Sequence, residues 1–584
     1  MGTEAEVNMS VNIDVVDPRQ ENPVHEFYCN GIQSPVYIYN HIESDKTSPT
    51  TKPHQYEAAG VHLGDDAGRR ASHQETRLKT CCCGRSTPHF EWATFRLTMA
   101  TLVMALIQIQ AGTAFCFSGV TLPQMTDAAT EDLFLDPHQA ALFGSLVNLG
   151  AVAGTCLSWP LLVRLGQRKT LLVGLPFSLL AWFTLAFSPT TWLLQMARFI
   201  LGLTMSMLTP AANLYLLEIS HRKIRGRLLG TMTLSRNLGG LVVTLIGSLP
   251  LSWRQVGLLC SIFSVLPILG VFFLPNSPRW LITQNRMDEA HSALVFFRKT
   301  TYDPLPELHD ITEQAEIKTC SGGSVWRQMK MLFQSETRHT FCVLSLIAVF
   351  VAFCGSCPLM TYLVPILQVT NDAVDPYLSA VFCSFTRIFG IIIHIGVVDK
   401  LGRKPLIIAS FFLCSVCTAA YGFYFHLNGN TNPDINWVPL MLILFFTLFS
   451  GVGLPVITVL QGELLPTNCR AAGLSLLTCL LMLGGFTSSH TYYMTVAALG
   501  HEGAFWLFSI SSILLVIVAI LGLQETRGRT LEDISTPRLK AKHSMRLSGT
   551  QFKAKQSDHM HKISMNSCSV WSVTLPGTKK PRVI

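Results

Sequence analysis

The chain has 584 residues, 49% of them hydrophobic and 14% charged, with a net charge of +8; soluble domains carry about 25% charged residues. Apolar segments roughly 20 residues long, the length that takes an α-helix across the ~30 Å hydrocarbon core, recur through most of the sequence. Segments such as 251–274 lack a polar face at the helical period, which excludes a large soluble helical protein. The expected class is an all-α polytopic membrane protein.

In chain order, residues 1–92 form a polar tail rich in Asp, Glu, His and Pro, of disordered composition. No apolar leader precedes residue 93, so the first span is expected to act as its own insertion signal. Cys81, Cys82 and Cys83 lie shortly before that span, a placement that suits S-palmitoylation and equally a plain linker. Twelve spans are expected, centred near residues 105, 150, 180, 205, 240, 263, 350, 387, 415, 450, 483 and 513. They divide into six-helix bundles over 93–278 and 339–524, joined by a charged linker over 279–338 and followed by a basic tail over 525–584. That tail fits an anionic lipid surface, or simply water. The 17 cysteines fall almost wholly in spans or on the linker side, so no extracellular disulfide framework is implied.

An even number of spans puts both termini on one side, and the Lys/Arg bias of the loops chooses that side. One set of loops carries Arg164, Arg168, Lys169, Arg222, Lys223, Arg225, Arg227, Lys400, Arg403, Lys404 and Arg470. The other carries Asp127, Glu131, Asp132, Asp136, Asp372, Asp375, Asp434 and Glu502, with Arg254 nearly its only cation. The first set, and both termini, are expected to be cytosolic.

Landmarks of the first half recur in the second at nearly constant separation. Gly166-Gln167-Arg168-Lys169 returns as Gly402-Arg403-Lys404, Glu218 with Arg225 as Glu463 with Arg470, and Asn276 as Glu525. Such a duplication is the sequence mark of a transporter whose halves rock about a central site. Glu218 and Glu463 each end a helix at its negative pole, where a carboxylate needs cationic compensation. Arg168, Arg225, Arg403 and Arg470 are the candidates, with Asp399 beside them.

The run Pro275-Asn276-Ser277-Pro278-Arg279-Trp280-Leu281 resembles the Pro-Glu-Ser-Pro-Arg-Trp-Leu signature of the sugar-porter branch of the major facilitator superfamily. Arg198, Tyr215, Glu289, Asp399, Gly402-Arg403, Gly462-Glu463-Leu464-Leu465-Pro466 and Glu525-Thr526 extend the likeness over about 93–534. Gly462 to Pro466 looks most like arthropod trehalose and hexose facilitators. The resemblance implies the twelve-helix major facilitator fold, alternating access, and a cytoplasmic gate of Arg168, Glu218, Arg225, Asp399, Arg403, Glu463 and Arg470 that ties the halves together. Val163, where the family has Asp, and Ala471, where it has Gly, imply a looser gate.

The family's sugar-binding positions fall here on changed residues. The fifth-span Gln falls on Thr233, and the seventh-span amides on Val351, Ala352 and Cys357. The tenth-span Trp falls on Thr458 and the eleventh-span Asn-Trp on Leu481-Met482, while Tyr362 keeps one of two tyrosines. Loss of these partners weakens hydroxyl recognition. Arg236 and Arg387 stand near mid-membrane, where an ionisable residue usually marks a pathway. His394 shares a face of span eight with Arg387; it is either a titrating group or a packing residue. The expected substrate pathway is therefore Thr233, Arg236, Cys357, Tyr362, Arg387, His394 and Thr458.

Phe115 to Val120 lacks the first-span carboxylate of proton-coupled relatives, so facilitated diffusion is expected. No metal, cofactor or nucleic acid is implied, and no catalytic set appears. The expectation is a plasma-membrane sugar facilitator, a monomeric transport unit in a lipid bilayer. Alternatives are a facilitator of a small organic anion and a non-transporting sensor on the same fold.

Overall fold

The computed structural model describes residues 92–128, 132–220, 224–298, 325–370, 374–428, 437–466, 469–523 and 525, with short pieces between 305 and 313. The expected tails, apart from Trp92 and Glu525, lie outside these residues, and so do Cys81, Cys82 and Cys83. Every described element is helical. Ten helices are long and apolar enough to cross a membrane among the described residues, and two features raise that number to the twelve spans of the fold.

The first is the helix Pro137–Phe187, whose 51 residues run to about 77 Å at the helical rise, more than twice the hydrocarbon thickness. It turns at Gly166, whose φ of 76° and ψ of 171° break the helix, so it supplies spans 2 and 3. Gly402, between spans 8 and 9, has almost the same backbone, φ 93° and ψ 165°. Side-chain-bearing residues avoid that region, so the glycines of the repeated sequence mark repeated turns. A Cβ at Gly166 would also stand 2.7 Å from the Trp280 ring.

The second is span 7, broken into Ser335–Ala352, Ser356–Thr361 and Leu363–Thr370. Gly355, at φ 91°, starts the middle piece. Discontinuous helices of this kind border transport sites.

The other spans are Trp92–Thr126 (span 1), Thr191–Ile219 (span 4), Arg225–Gly247 (span 5), Trp253–Phe272 (span 6), Pro376–Leu401 (span 8), Arg403–Asn428 (span 9), Trp437–Leu464 (span 10) and Arg470–His490 (span 11). Span 12 lies in Tyr492–Gly522, which turns at Gly500. All twelve expected centres fall within these helices. Among the described residues, the segment between the halves holds the short helices Pro278–Thr283, Met287–Phe297 and Val325–Leu332. Trp280, Leu281, Ile282, Ala290 and Ala293 form a small core there.

Inside the first half, span 1 packs on spans 4, 5 and 6, and span 2 on span 4; inside the second, span 8 packs on span 10 and span 9 on span 12. Between halves, span 5 meets span 8 and span 2 meets span 11. The outer surface is apolar: Leu180, Leu269, Phe272, Phe389 and Leu521 are all exposed, an arrangement suited to lipid rather than water.

One buried cation braces the first half. Arg198 is wholly buried in span 4. Its guanidinium donates to the carbonyls of Ala114 (2.8 Å) and Phe143 (3.3 Å) and to Ser118 Oγ (3.2 Å). The Phe143 ring centroid lies 4.9 Å from it. Spans 1, 2 and 4 are thereby tied by a charge whose donors find acceptors, the condition for tolerating it at that depth.

Candidate functional site: a central cavity and its two ends

A cavity of about 540 Å³ lies between the halves, walled by residues of spans 1, 2, 4, 5, 7, 8, 10 and 11. Its size is in the range of small-molecule sites, about 300–1,000 Å³. Close helix packing fixes the wall. Span 5 approaches span 1 until a Cβ at Gly239 would lie 2.1 Å from the Ile109 carbonyl oxygen, and a Cβ at Gly451 of span 10 would lie 2.7 Å from that of Arg387. Small residues let membrane helices meet this closely, and the two contacts set the depth of Arg236 and Arg387.

Five of the seven expected pathway residues, Thr233, Arg236, Cys357, Arg387 and Thr458, are in the wall, and so are Val351, Leu481 and Met482. The other two are elsewhere. His394 is buried, its Nδ1 3.1 Å from the Val452 carbonyl oxygen, and packs span 8 on span 10. Tyr362 has no exposed surface. Its hydroxyl donates to the Ser489 carbonyl (2.9 Å) and lies 3.3 Å from that of Ala141, while its ring stacks on Tyr492 at 5.4 Å.

Tyr362 is thus part of a seal between the halves at the end remote from the linker. Ser145 Oγ and His490 Nδ1, 3.3 Å apart, join the halves at the same end. Toward the linker end, by contrast, the cavity wall continues along 155–162, 209–213, 455–461 and 474–478. The structure is shut at the far end, with its cavity reaching toward the linker.

The wall also contains amides that the family positions did not anticipate: Asn148, Asn213, Asn237 and Gln461. Asn148 and Asn213 come from spans 2 and 4, while Asn237 and Gln461 come from spans 5 and 10, at other positions than those of the family pattern. Asn237 donates to the Thr233 carbonyl (2.9 Å) and Asn213 accepts from Gln108 (2.9 Å). Asn148 is buried with both side-chain polar atoms unpartnered in the protein. The available signal was a lone amide in an apolar span, costly unless it meets a partner.

At the linker end, the second half brings Asp399, Arg403, Glu463 and Glu525 together. Arg403 Nη2 lies 3.2 Å from Glu463 Oε1 and 3.3 Å from Asp399 Oδ1. The Glu525 carboxylate accepts from the backbone N–H groups of Arg403 and Lys404, both at 3.1 Å, an anion seated on the N-terminus of span 9. Lys404 Nζ donates to the carbonyls of Ile520 and Leu523, both at 2.8 Å.

The first half differs by one residue from the expectation. Gln167, not Arg168, occupies the place of Arg403 and donates to Glu218 Oε2 at 2.9 Å; the Ser277 hydroxyl donates to the same oxygen. Arg168 takes the place of Lys404, donating to the Phe272 carbonyl at 2.8 Å. Arg225 and Arg470 keep their symmetry, donating to the carbonyls of Ser220 (3.3 Å) and Leu465 (3.1 Å). These contacts lie within one half, whereas the resemblance implied ties between halves. At the far end, Arg254 Nη2 lies 2.7 Å from Asp132 Oδ1, and this hydrogen-bonded cation holds the Asp132 carboxyl below the usual carboxylate range.

Two matched helical bundles, a broken seventh span and a cavity shut at one end define a multi-pass membrane protein of the major facilitator fold. The profile of the family described as Sugar (and other) transporter matches residues 100–537, and the chain belongs to that family. It is 26% identical over 439 residues to the facilitated trehalose transporter Tret1 of Apis mellifera ligustica, covering 75% of this chain and 87% of that protein. It is likewise 26% identical to Tret1 of Polypedilum vanderplanki over 75% of this chain and 86% of the relative. Among solved structures, the proton:xylose symporter XylE bound to 6-bromo-6-deoxy-D-glucose superposes with a TM-score of 0.63 at 19% identity, over 76% of this chain and 99% of that one. The inward-open form of XylE from E. coli superposes with a TM-score of 0.62 at 20% identity, over 75% of this chain and 99% of its own. These likenesses carry the fold.

Proposed function

We propose that this protein is a facilitator that moves a sugar across the membrane by alternating access, its halves 93–278 and 339–524 rocking about the central cavity. The single observation that carries this reading is a cavity sealed between halves at Tyr362 yet continuing toward the linker end. That geometry is one of two states a rocking transporter needs. The relatives' names support a sugar, and the amides of the wall supply hydroxyl-binding groups. The described residues of the wall include no carboxylate, which supports passive movement. In this reading the Glu–Arg clusters form the cytoplasmic gate, both termini are cytosolic, and the monomer in the plasma membrane is the transport unit, carrying its substrate unchanged.

The test is counterflow of labelled glucose and trehalose into liposomes holding the purified full chain, compared with empty liposomes. Saturable exchange is expected. Exchange no faster than in empty liposomes for either sugar, and for the charged sugars considered below, sinks the proposal. Protease applied to intact cells should leave both tails uncut; cleavage of one tail alone breaks the even span count.

A further inference from the structure

Three arginines lie deep among the spans, and they differ in what they touch. Arg198 is the structural case: its donors end on two carbonyls and a hydroxyl, and it is not in the wall of the central cavity. Arg387 lines the cavity and gives one hydrogen bond, from Nε to Asn237 Oδ1 at 3.0 Å, while its Nη1 is enclosed with no partner in the protein. Arg236 lines the same cavity and donates no hydrogen bond to any described residue; the Phe115 ring centroid lies 6.0 Å from its guanidinium carbon. Among the described residues of the wall there is no Asp or Glu to balance either charge.

A protein that merely tolerated these cations would satisfy them as it satisfies Arg198. Two like charges facing one low-dielectric cavity repel each other and carry a desolvation cost. An oxyanion entering between them relieves both, since guanidinium forks match carboxylate and phosphate oxygens. On the same wall the unpartnered amide of Asn148 offers a donor and an acceptor, the complement of hydroxyl groups.

We infer that the cavity selects a hydroxylated small molecule bearing one oxyanion, a sugar acid or sugar phosphate, with Arg236 and Arg387 holding the charged group and Asn148 a hydroxyl. The inference rests on the cavity being the transport site proposed above.

The full chain is purified and tested with D-glucuronate, D-glucose 6-phosphate, D-glucose and trehalose, by thermal unfolding in detergent and by counterflow in liposomes. Glucuronate or glucose 6-phosphate should raise the melting temperature and exchange, at affinities at least tenfold above those of the neutral sugars. Which of the two acts identifies the oxyanion. Arg236→Gln and Arg387→Gln should each weaken anion binding about ten- to a hundredfold. Without ligand, these variants should melt at the wild-type temperature or above it, because a repulsion has been removed.

Neutral sugars that exchange as well as the anions, unaffected by either substitution, overturn the assignment and leave the transport reading standing. Anion binding without exchange supports the site and overturns transport. A ligand-free melting temperature lowered as far as by Arg198→Gln makes the two arginines structural and overturns the assignment.

Discussion

Arg198 shows how a buried charge becomes structure. Truncating it to Gln leaves the carbonyls of Ala114 and Phe143 without their donor, and a hydrogen bond to a charged group is worth about 1.5–3 kcal/mol. Arg198→Gln should therefore destabilise the first half by roughly that amount, read as a lower melting temperature and reduced yield. An unchanged melting temperature would remove its bracing role. The Arg254–Asp132 pair is a milder case, being partly exposed, and should contribute at most about 1 kcal/mol. Its sign follows from the lowered Asp132 pKa. The contribution is complete above the ordinary Asp value of about 3.9 and is lost as pH falls through the lower, folded value. The stability gap between wild type and Asp132→Asn should stay constant from neutral pH to about 4 and close below it; a gap that closes near neutrality assigns the effect to another group.

Among the helices, the second-half cluster gives the clearest expectation. In the proposed gate Arg403 and Glu463 share a contact, so Arg403→Gln and Glu463→Gln should slow counterflow by similar, several-fold factors while leaving yield intact. The double variant should be no slower than the worse single, the signature of coupled residues; additive losses would mean that each acts elsewhere. Much of this cluster was legible because turn glycines and basic residues repeat in sequence. The error of one position in the first half has a physical source. Arg168 carries the charge, but the turn at Gly166 presents the next residue, Gln167, to Glu218 and sends Arg168 to the end of span 6. Tyr362 was misjudged because span 7 is broken, so helical spacing does not carry its direction across Gly355. The wall positions Thr233, Val351 and Thr458 were legible because unbroken spacing from nearby motifs placed them, and Cys357 because it stands only two residues past the break at Gly355. Asn148 was not, since no motif in span 2 pointed to it.

At the scale of the whole molecule, the two halves also meet through sulfur. Cys156 of span 2 and Cys479 of span 11 have their Sγ atoms 3.8 Å apart, and a disulfide at about 2.05 Å needs only a small approach. Mild oxidation with copper phenanthroline should link them, hold the halves in one orientation and stop counterflow, with recovery on adding dithiothreitol and no effect on Cys156→Ser. Exchange that persists in fully linked protein would contradict rocking of one half against the other. The asymmetry between the halves reaches further. Where the second half carries Asp399, Arg403 and Glu525, the first carries Val163, Gln167 and Asn276. Mobile ions screen charged contacts over about 8 Å at physiological strength and leave neutral hydrogen bonds largely alone. At these three repeated positions, therefore, salt on the linker side weakens the second half's contacts more than the first's, a one-handed pull on a cycle that the doubled fold would otherwise balance.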